Sequence, residues 1–151
     1  MPVHIIEITD SNGAVIKPDW LARAERVHRQ LRPNIPTDYA GRLQRMFAVG
    51  ARMVVAADSE EVLGVAVWRL IENTYEGRRL YVDDLVTDEA RRSDGVGKAL
   101  LDFLEQRAQA LGCVVLALDS GVQRAQAHKF YFREGMVITS FCFRKTLKPP
   151  R

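Results

Sequence analysis

The segment RRSDGVGKALL, residues 91–101, joins two glycines and several cations to a stretch that turns aliphatic at helical spacing. A glycine turn leading from a strand into a helix gathers unpaired N–H groups and the positive end of the helix dipole at one point, and anions bind there. Two phosphate-binding motifs fail. A Walker loop needs glycine where Arg92 stands and Ser or Thr where Ala99 stands, and a dinucleotide fingerprint starting at Gly95 needs a third glycine in place of Leu100. What remains is R-x-x-G-x-G, Arg92 to Gly97. By itself it is either an anion site or a tight connection that glycine permits.

Other reactive groups are sparse. Asp83 and Asp84 form an acidic pair in an apolar run, and strict strand alternation would send them to opposite faces, so they are not expected to act as one dyad. Three histidines and two cysteines show no close ligand spacing, so no metal is expected. There is no G-x-S-x-G elbow and no cysteine with an evident base partner, which argues against a covalent acyl-enzyme. His28 falls on the apolar face of a helix and His4 in a strand, where histidine is ordinarily a packing residue. His128 is assigned to packing or solvent as well.

Elements must position these groups, and the hydrophobic pattern supplies them. Residues 3–8 read as a strand ending at DSNG. Trp20, Leu21, Ala24, Val27, His28 and Leu31 mark one face of a helix bounded by Pro18 and Pro33. A shorter helix is expected from Thr37 as N-cap to about Gly50. Residues 51–73 predict two strands joined at Asp58–Glu61, and a third strand, RRLYVDDLVTD, completes an antiparallel meander. After the glycine turn, Val96, Leu100, Phe103, Leu104 and Leu111 define a helix that Gly112 ends. CVVLALD is a buried strand, 123–134 a helix, and MVITSFCFRKTL a last strand. The order is β-α-α-β-β-β-α-β-α-β. A strand–turn–helix–strand passage in its second half needs a right-handed crossover and a parallel pair, so the chain is α/β in the broad sense with a mixed sheet.

The bulk numbers bound the problem. With 151 residues, 47% hydrophobic and 27% charged, the chain suits one domain, 1–151, with one core. A net charge of +3 with scattered arginines gives no nucleic-acid footprint. No window approaches a membrane span and no signal peptide is visible, so a soluble cytoplasmic protein is expected. Cys113 and Cys142 make no disulfide framework, which suits a reducing compartment.

YVDDLVTDEARRSDGVGKALLDFLEQRAQALGC, followed by AHKFYFREGM, resembles the GCN5-related N-acetyltransferase (GNAT) superfamily, strongly over residues 80–136 and in element order before that. The resemblance implies a GNAT fold and acetyl-CoA as the acyl donor, leaving coenzyme A as product. It implies that Arg92, Ser93, Asp94, Gly95, Val96, Gly97 and Lys98 wrap the coenzyme pyrophosphate, and that Leu85, Val86 and Thr87 lie along the pantetheine arm. It gives Tyr131 the role of general acid toward the departing thiolate, a task a phenol can perform. It makes Asp84 the contact for the amine or the relay for its proton, with Asp83 structural. Read as residues alone, Asp84 pairs with an arginine or caps a bulge equally well. Glu72 and Glu76 are weaker alternatives for the relay. Arg124 stands where the family often carries asparagine near the coenzyme sulfur and is expected to bind the coenzyme instead through its phosphates, and the acid Asp94 is unexpected beside phosphates.

The leading expectation is an acetyl-CoA-dependent N-acetyltransferase acting by direct transfer on a primary amine of a small molecule or peptide. A non-catalytic acyl-CoA-binding or regulatory domain is the alternative, kept open by Arg124. Residues 19–52 hold seven arginines against three acids, which tolerates an acceptor bearing a carboxylate or an acidic surface. Solvated helix faces explain the same count. The apolar C-terminal run suits pairing into a homodimer.

Overall fold

The computed structural model of the protein describes residues 3–149. Its elements are β1 (His4–Glu7), α1 (Pro18–Leu31), α2 (Tyr39–Ala48), β2 (Arg52–Asp58), β3 (Glu61–Asn73), β4 (Gly77–Thr87), α3 (Val96–Ala110), β5 (Val115–Leu118) and α4 (Ala125–Arg133), with a single 3-10 turn at Glu89–Arg91. The five strands form one sheet in chain order; the first three pairings are antiparallel and β4–β5 is parallel. The mixed sheet and the meander expected from the alternation are therefore present.

Two apolar layers flank the sheet. Leu21, Ala24 and Val27 of α1, with Leu43 and Phe47 of α2, pack on Met53, Val55, Val65 and Val67. On the other face Val96, Leu100, Leu104 and Ala108 of α3 cover Val54, Ala66, Trp68, Leu80 and Val82. Gly64 sets how closely α3 approaches. A Cβ there would fall 2.8 Å from Val96 Cγ1, 2.9 Å from Leu100 Cδ1 and 3.0 Å from the Val86 carbonyl, so the helix seats directly on bare strand backbone.

The N-cap of α2 is Asp38, not Thr37. The Asp38 carboxylate accepts from the Gly41 N–H at 3.0 Å, while the Thr37 carbonyl closes a turn with the Tyr39 N–H. The register of β4 also departs from simple alternation. Val67 lies opposite Asp84 and Trp68 opposite Val82, which leaves Asp83 without a counterpart, the mark of a β-bulge. Leu80 and Val82 consequently face α3, whereas Asp84 and Val86 face α1.

The expected last strand does not form. Described residues 136–149 carry neither helix nor strand, and Val137, Ile138, Phe141, Phe143 and Leu147 are all exposed. Apolar residues occupy both alternation phases of this run, as suits a strand covered on both faces, and among the described residues nothing covers them.

Candidate active site

The parallel pairing of β4 with β5 ends at Val82↔Leu118, at the bulge, while β4 continues to Thr87. Beyond Val82 the side of β4 turned away from β3 has no strand beside it, and past Asp83, whose carbonyl Arg32 holds, that edge is open to a ligand. Leu85, Val86 and Thr87 lie on this free edge. Just past the end of β5, the Ser120 hydroxyl is buried without a hydrogen-bond partner. An orphaned polar atom at such a place fits a bound group that completes it.

Beyond β4 the chain enters the glycine turn. Ser93 and Gly95 both adopt left-handed backbone conformations, with φ of 74° and 81°. Gly95 is the N-cap of α3, no side chain caps the helix, and its first backbone bond runs from the Ala99 N–H to the Gly95 carbonyl. The N–H groups of Val96, Gly97 and Lys98 therefore face outward at the positive end of the helix. Alternating backbone hands followed by a bare helix start make a concave anion cradle. At Gly97 a Cβ would lie 3.4 Å from both the Phe130 ring and Thr87 Oγ1, so this glycine keeps the cradle open between β4 and α4.

The charged members of the turn sit at its rim. Arg92 is exposed, and Asp94 stands 4.0 Å from Arg91, which draws its carboxylate aside. Lys98 bonds Glu134 at 3.0 Å and Asp102 at 3.3 Å, linking the cradle to the end of α4. On α4, burial raises the Tyr131 phenol above its ordinary value, and the charge and hydrogen bond of Arg124 oppose this only in part. Tyr131 thus stays protonated around neutral pH, and Arg124 is its neighbour.

On the opposite side of β4, Asp84 belongs to a buried polar chain that the sequence did not announce. The His28 ring spans Tyr39 and Asp84, with Nδ1 2.8 Å from the Tyr39 hydroxyl and Nε2 2.7 Å from Asp84 Oδ2. Arg32 donates from Nε to Asp84 Oδ1 at 2.8 Å and from Nη2 to the Asp83 carbonyl at 3.1 Å. Burial would raise the Asp84 carboxyl, but the hydrogen bonds and charges of His28 and Arg32 outweigh it and hold it below the usual carboxylate range. Burial pushes the Tyr39 phenol strongly upward. His28 Nε2 donates to the Asp84 carboxylate, and Nδ1 shares the second bond with the Tyr39 hydroxyl, so both ring nitrogens are satisfied. Asp83 is separately held by Arg69 Nε at 2.9 Å. The signal that could have found His28 was its place on the buried face of α1, combined with the need of an acid in an apolar strand for a partner.

Glu76 bonds Asn73 and Arg79 beside the β3–β4 turn, and His128 bonds the Gly121 carbonyl at 2.8 Å. The described residues contain no cluster of three or more metal-ligating side chains. No described helix is long and apolar enough to cross a membrane.

Residues 19–136 match the sequence profile of the Acetyltransferase (GNAT) family. An uncharacterized N-acetyltransferase of Bacillus subtilis, YhdJ, is 30% identical over 146 residues, covering 95% of this chain and 98% of the relative. An aminoalkylphosphonate N-acetyltransferase of Salmonella typhimurium is 33% identical over 66 residues, 44% of this chain and 43% of that protein. The fold is shared with an aminoglycoside N-acetyltransferase solved in complex with CoA, at a TM-score of 0.81 and 16% identity over 97% of this chain and 96% of that one. The chain belongs to the GNAT acetyltransferase family. Its activity is that of an acetyltransferase that draws its acyl group from acetyl-CoA.

Proposed function

We propose that the protein transfers the acetyl group directly to a primary amine of a small molecule or peptide, with Asp84 and Tyr131 handling the protons. The observation that carries this reading is the position of Asp84. It is an ionised carboxylate on the very strand whose next residues form the free edge, and it opens onto a cavity on the α1–α2 side.

Acetyl-CoA, when bound, supplies an acyl group activated as a thioester. The anion cradle at Gly95–Lys98 holds the pyrophosphate, and the N–H groups along Leu85–Thr87 orient the thioester carbonyl and accept its developing charge. Arg92 and Ser93 close the rim, and Asp94, drawn toward Arg91, keeps clear of the phosphates. Asp84 attracts the ammonium form of the acceptor and passes the proton it must lose on to solvent, returning to its ionised form. The amine nitrogen then bonds to the acetyl carbon as the carbon–sulfur bond breaks. Tyr131 gives its proton to the departing sulfur and recovers one from the acceptor nitrogen by way of solvent, so the products are an amide and coenzyme A with one proton released from the original ammonium. Arg124, against the phenol, steadies Tyr131 while it is deprotonated.

The Salmonella relative is named for an aminoalkyl acceptor, a class this reading includes. A homodimer is part of the proposal: a second copy would supply the cover that the apolar run 137–143 lacks. Two free thiols, Cys113 and Cys142, suit work in the cytoplasm.

The test is thiol release from acetyl-CoA by purified protein with a panel of amines. Tyr131→Phe should lower kcat by about 100- to 10,000-fold, the usual worth of a general acid, with coenzyme A still bound. Turnover in Tyr131→Phe equal to wild type refutes the assignment of the acid.

A further inference from the structure

The cavity onto which Asp84 opens is about 390 Å³ and lies between the end of α1, the following loop and α2. Its chemistry is divided. Asp84 and His28 form the inner end, Leu31, Leu43 and Met46 supply apolar wall, and Arg32 and Arg42 stand on the lining with Asn34.

The two arginines differ in what they already hold. Arg32 spends Nε and Nη2 on Asp84 and Asp83. Arg42 is half-buried, and among the described residues its guanidinium makes no hydrogen bond and no ion pair. The arginines of α1 and its C-cap are otherwise engaged: Arg26 with Asp88, Arg29 with Glu25, Arg32 with Asp84, and Arg23 over the Trp20 ring. A half-buried guanidinium without an acceptor, on the lining of a cavity that also holds a buried carboxylate, can take an anion.

We infer that the acceptor is a zwitterionic amine: its ammonium meets Asp84, a short apolar body lies against Leu43 and Met46, and a carboxylate or phosphonate reaches Arg42. This deepens the acetyltransferase reading and rests on it. A carboxylate and an unpaired guanidinium lining one cavity select both the presence of the anion and its orientation, so the amine end is the one delivered to β4. A neutral amine of the same length would leave Arg42 unpaired, and an amine with a second cation would meet two arginines.

The experiment compares acceptors matched in length: propylamine, β-alanine and 2-aminoethylphosphonate. Thiol release is read for wild type, Arg42→Gln and Arg42→Lys, and binding of the same amines to coenzyme A-loaded protein is read by calorimetry. At least one anionic acceptor should exceed propylamine by more than tenfold in kcat/KM. Arg42→Gln should abolish that advantage through KM, and Arg42→Lys should restore part of it. The carboxylate and phosphonate arms tell which anion fits. Equal use of propylamine, or an anion preference unchanged in Arg42→Gln, overturns the inference while leaving the acetyltransferase reading intact. Arg42-dependent binding of an anionic amine with no thiol release upholds the site and overturns direct transfer to that amine; absence of both binding and turnover with every anionic amine overturns the inference.

Discussion

Replacing Asp84 with asparagine separates charge from shape at the centre of the buried chain. The side chain keeps its size and one acceptor, but the carboxylate that receives from both His28 and Arg32 is gone. The bond from His28, whose side chain is 2% exposed, is charge-assisted and dry; such a bond is worth about 1.5–3 kcal/mol. The Arg32 side chain is 53% exposed, and water takes up most of what it loses; that contact adds less than about 1 kcal/mol. The total, about 2–4 kcal/mol, lowers the melting temperature of a domain this size by about 6–12 °C. The pH dependence carries the sharper test. Because the folded carboxyl titrates below its ordinary value of 3.8, its contribution is complete above that value and is lost as the pH falls through the folded one. Denaturant titrations should therefore show a wide gap between wild type and Asp84→Asn at neutral pH that narrows once the pH drops below about 4. A gap of the same size at both pH values would mean that the substitution acts through packing and would refute the ionic account. In the same preparation kcat should fall by about 100-fold or more if Asp84 also moves the proton.

Gly64→Ala forces a Cβ into Val96 and Leu100, and should cost about 1–3 kcal/mol in stability and weaken coenzyme A binding, since α3 carries the cradle; calorimetry and thermal melts read both. Gly97→Trp should abolish acetyl-CoA binding in an equilibrium titration while the protein remains folded, and normal binding would remove the cradle from the coenzyme site. At alkaline pH, burial and the Asp119 hydrogen bond push the Tyr81 phenol up to about 12. The neutral phenol is favoured in the fold, so its contribution is present below its ordinary value of 10.0 and lost as the pH rises toward about 12. Tyr81→Phe should flatten the fall in stability across that window, measured by denaturant unfolding.

Periodicity made most of the fold legible. The faces of α1 and α3 follow the spacing of Leu21, Ala24 and Val27 and of Val96, Leu100 and Leu104, and these same residues are buried. The parallel β4–β5 pair followed from the glycine turn and the helix behind it. What periodicity does not encode is a contact between distant segments. His28 and Asp84 are 56 positions apart, and Tyr39 closes the chain from a third element, so no local pattern announces the network. A bulge beside Asp84 was one option among several and could not be settled, because a register shift is a property of two strands and alternation is a property of one. The C-terminal run was misjudged because strand propensity states a preference for pairing without naming the partner.

That bulge has a consequence for how folding and binding are coupled. A sheet left to itself would close like a zipper, with β5 following β4 to its end; one surplus residue at Asp83 stops the closure at Val82 and holds the seam ajar. The edge of β4 beyond the bulge is left without a neighbouring strand on that side. On the proposed reading, the amide-bearing arm of the donor takes the place of the missing rungs, so that the protein is a finished sheet only while it holds its acyl carrier. Saturating acetyl-CoA at about 100 times its Kd would then add about 2.7 kcal/mol to stability by mass action alone.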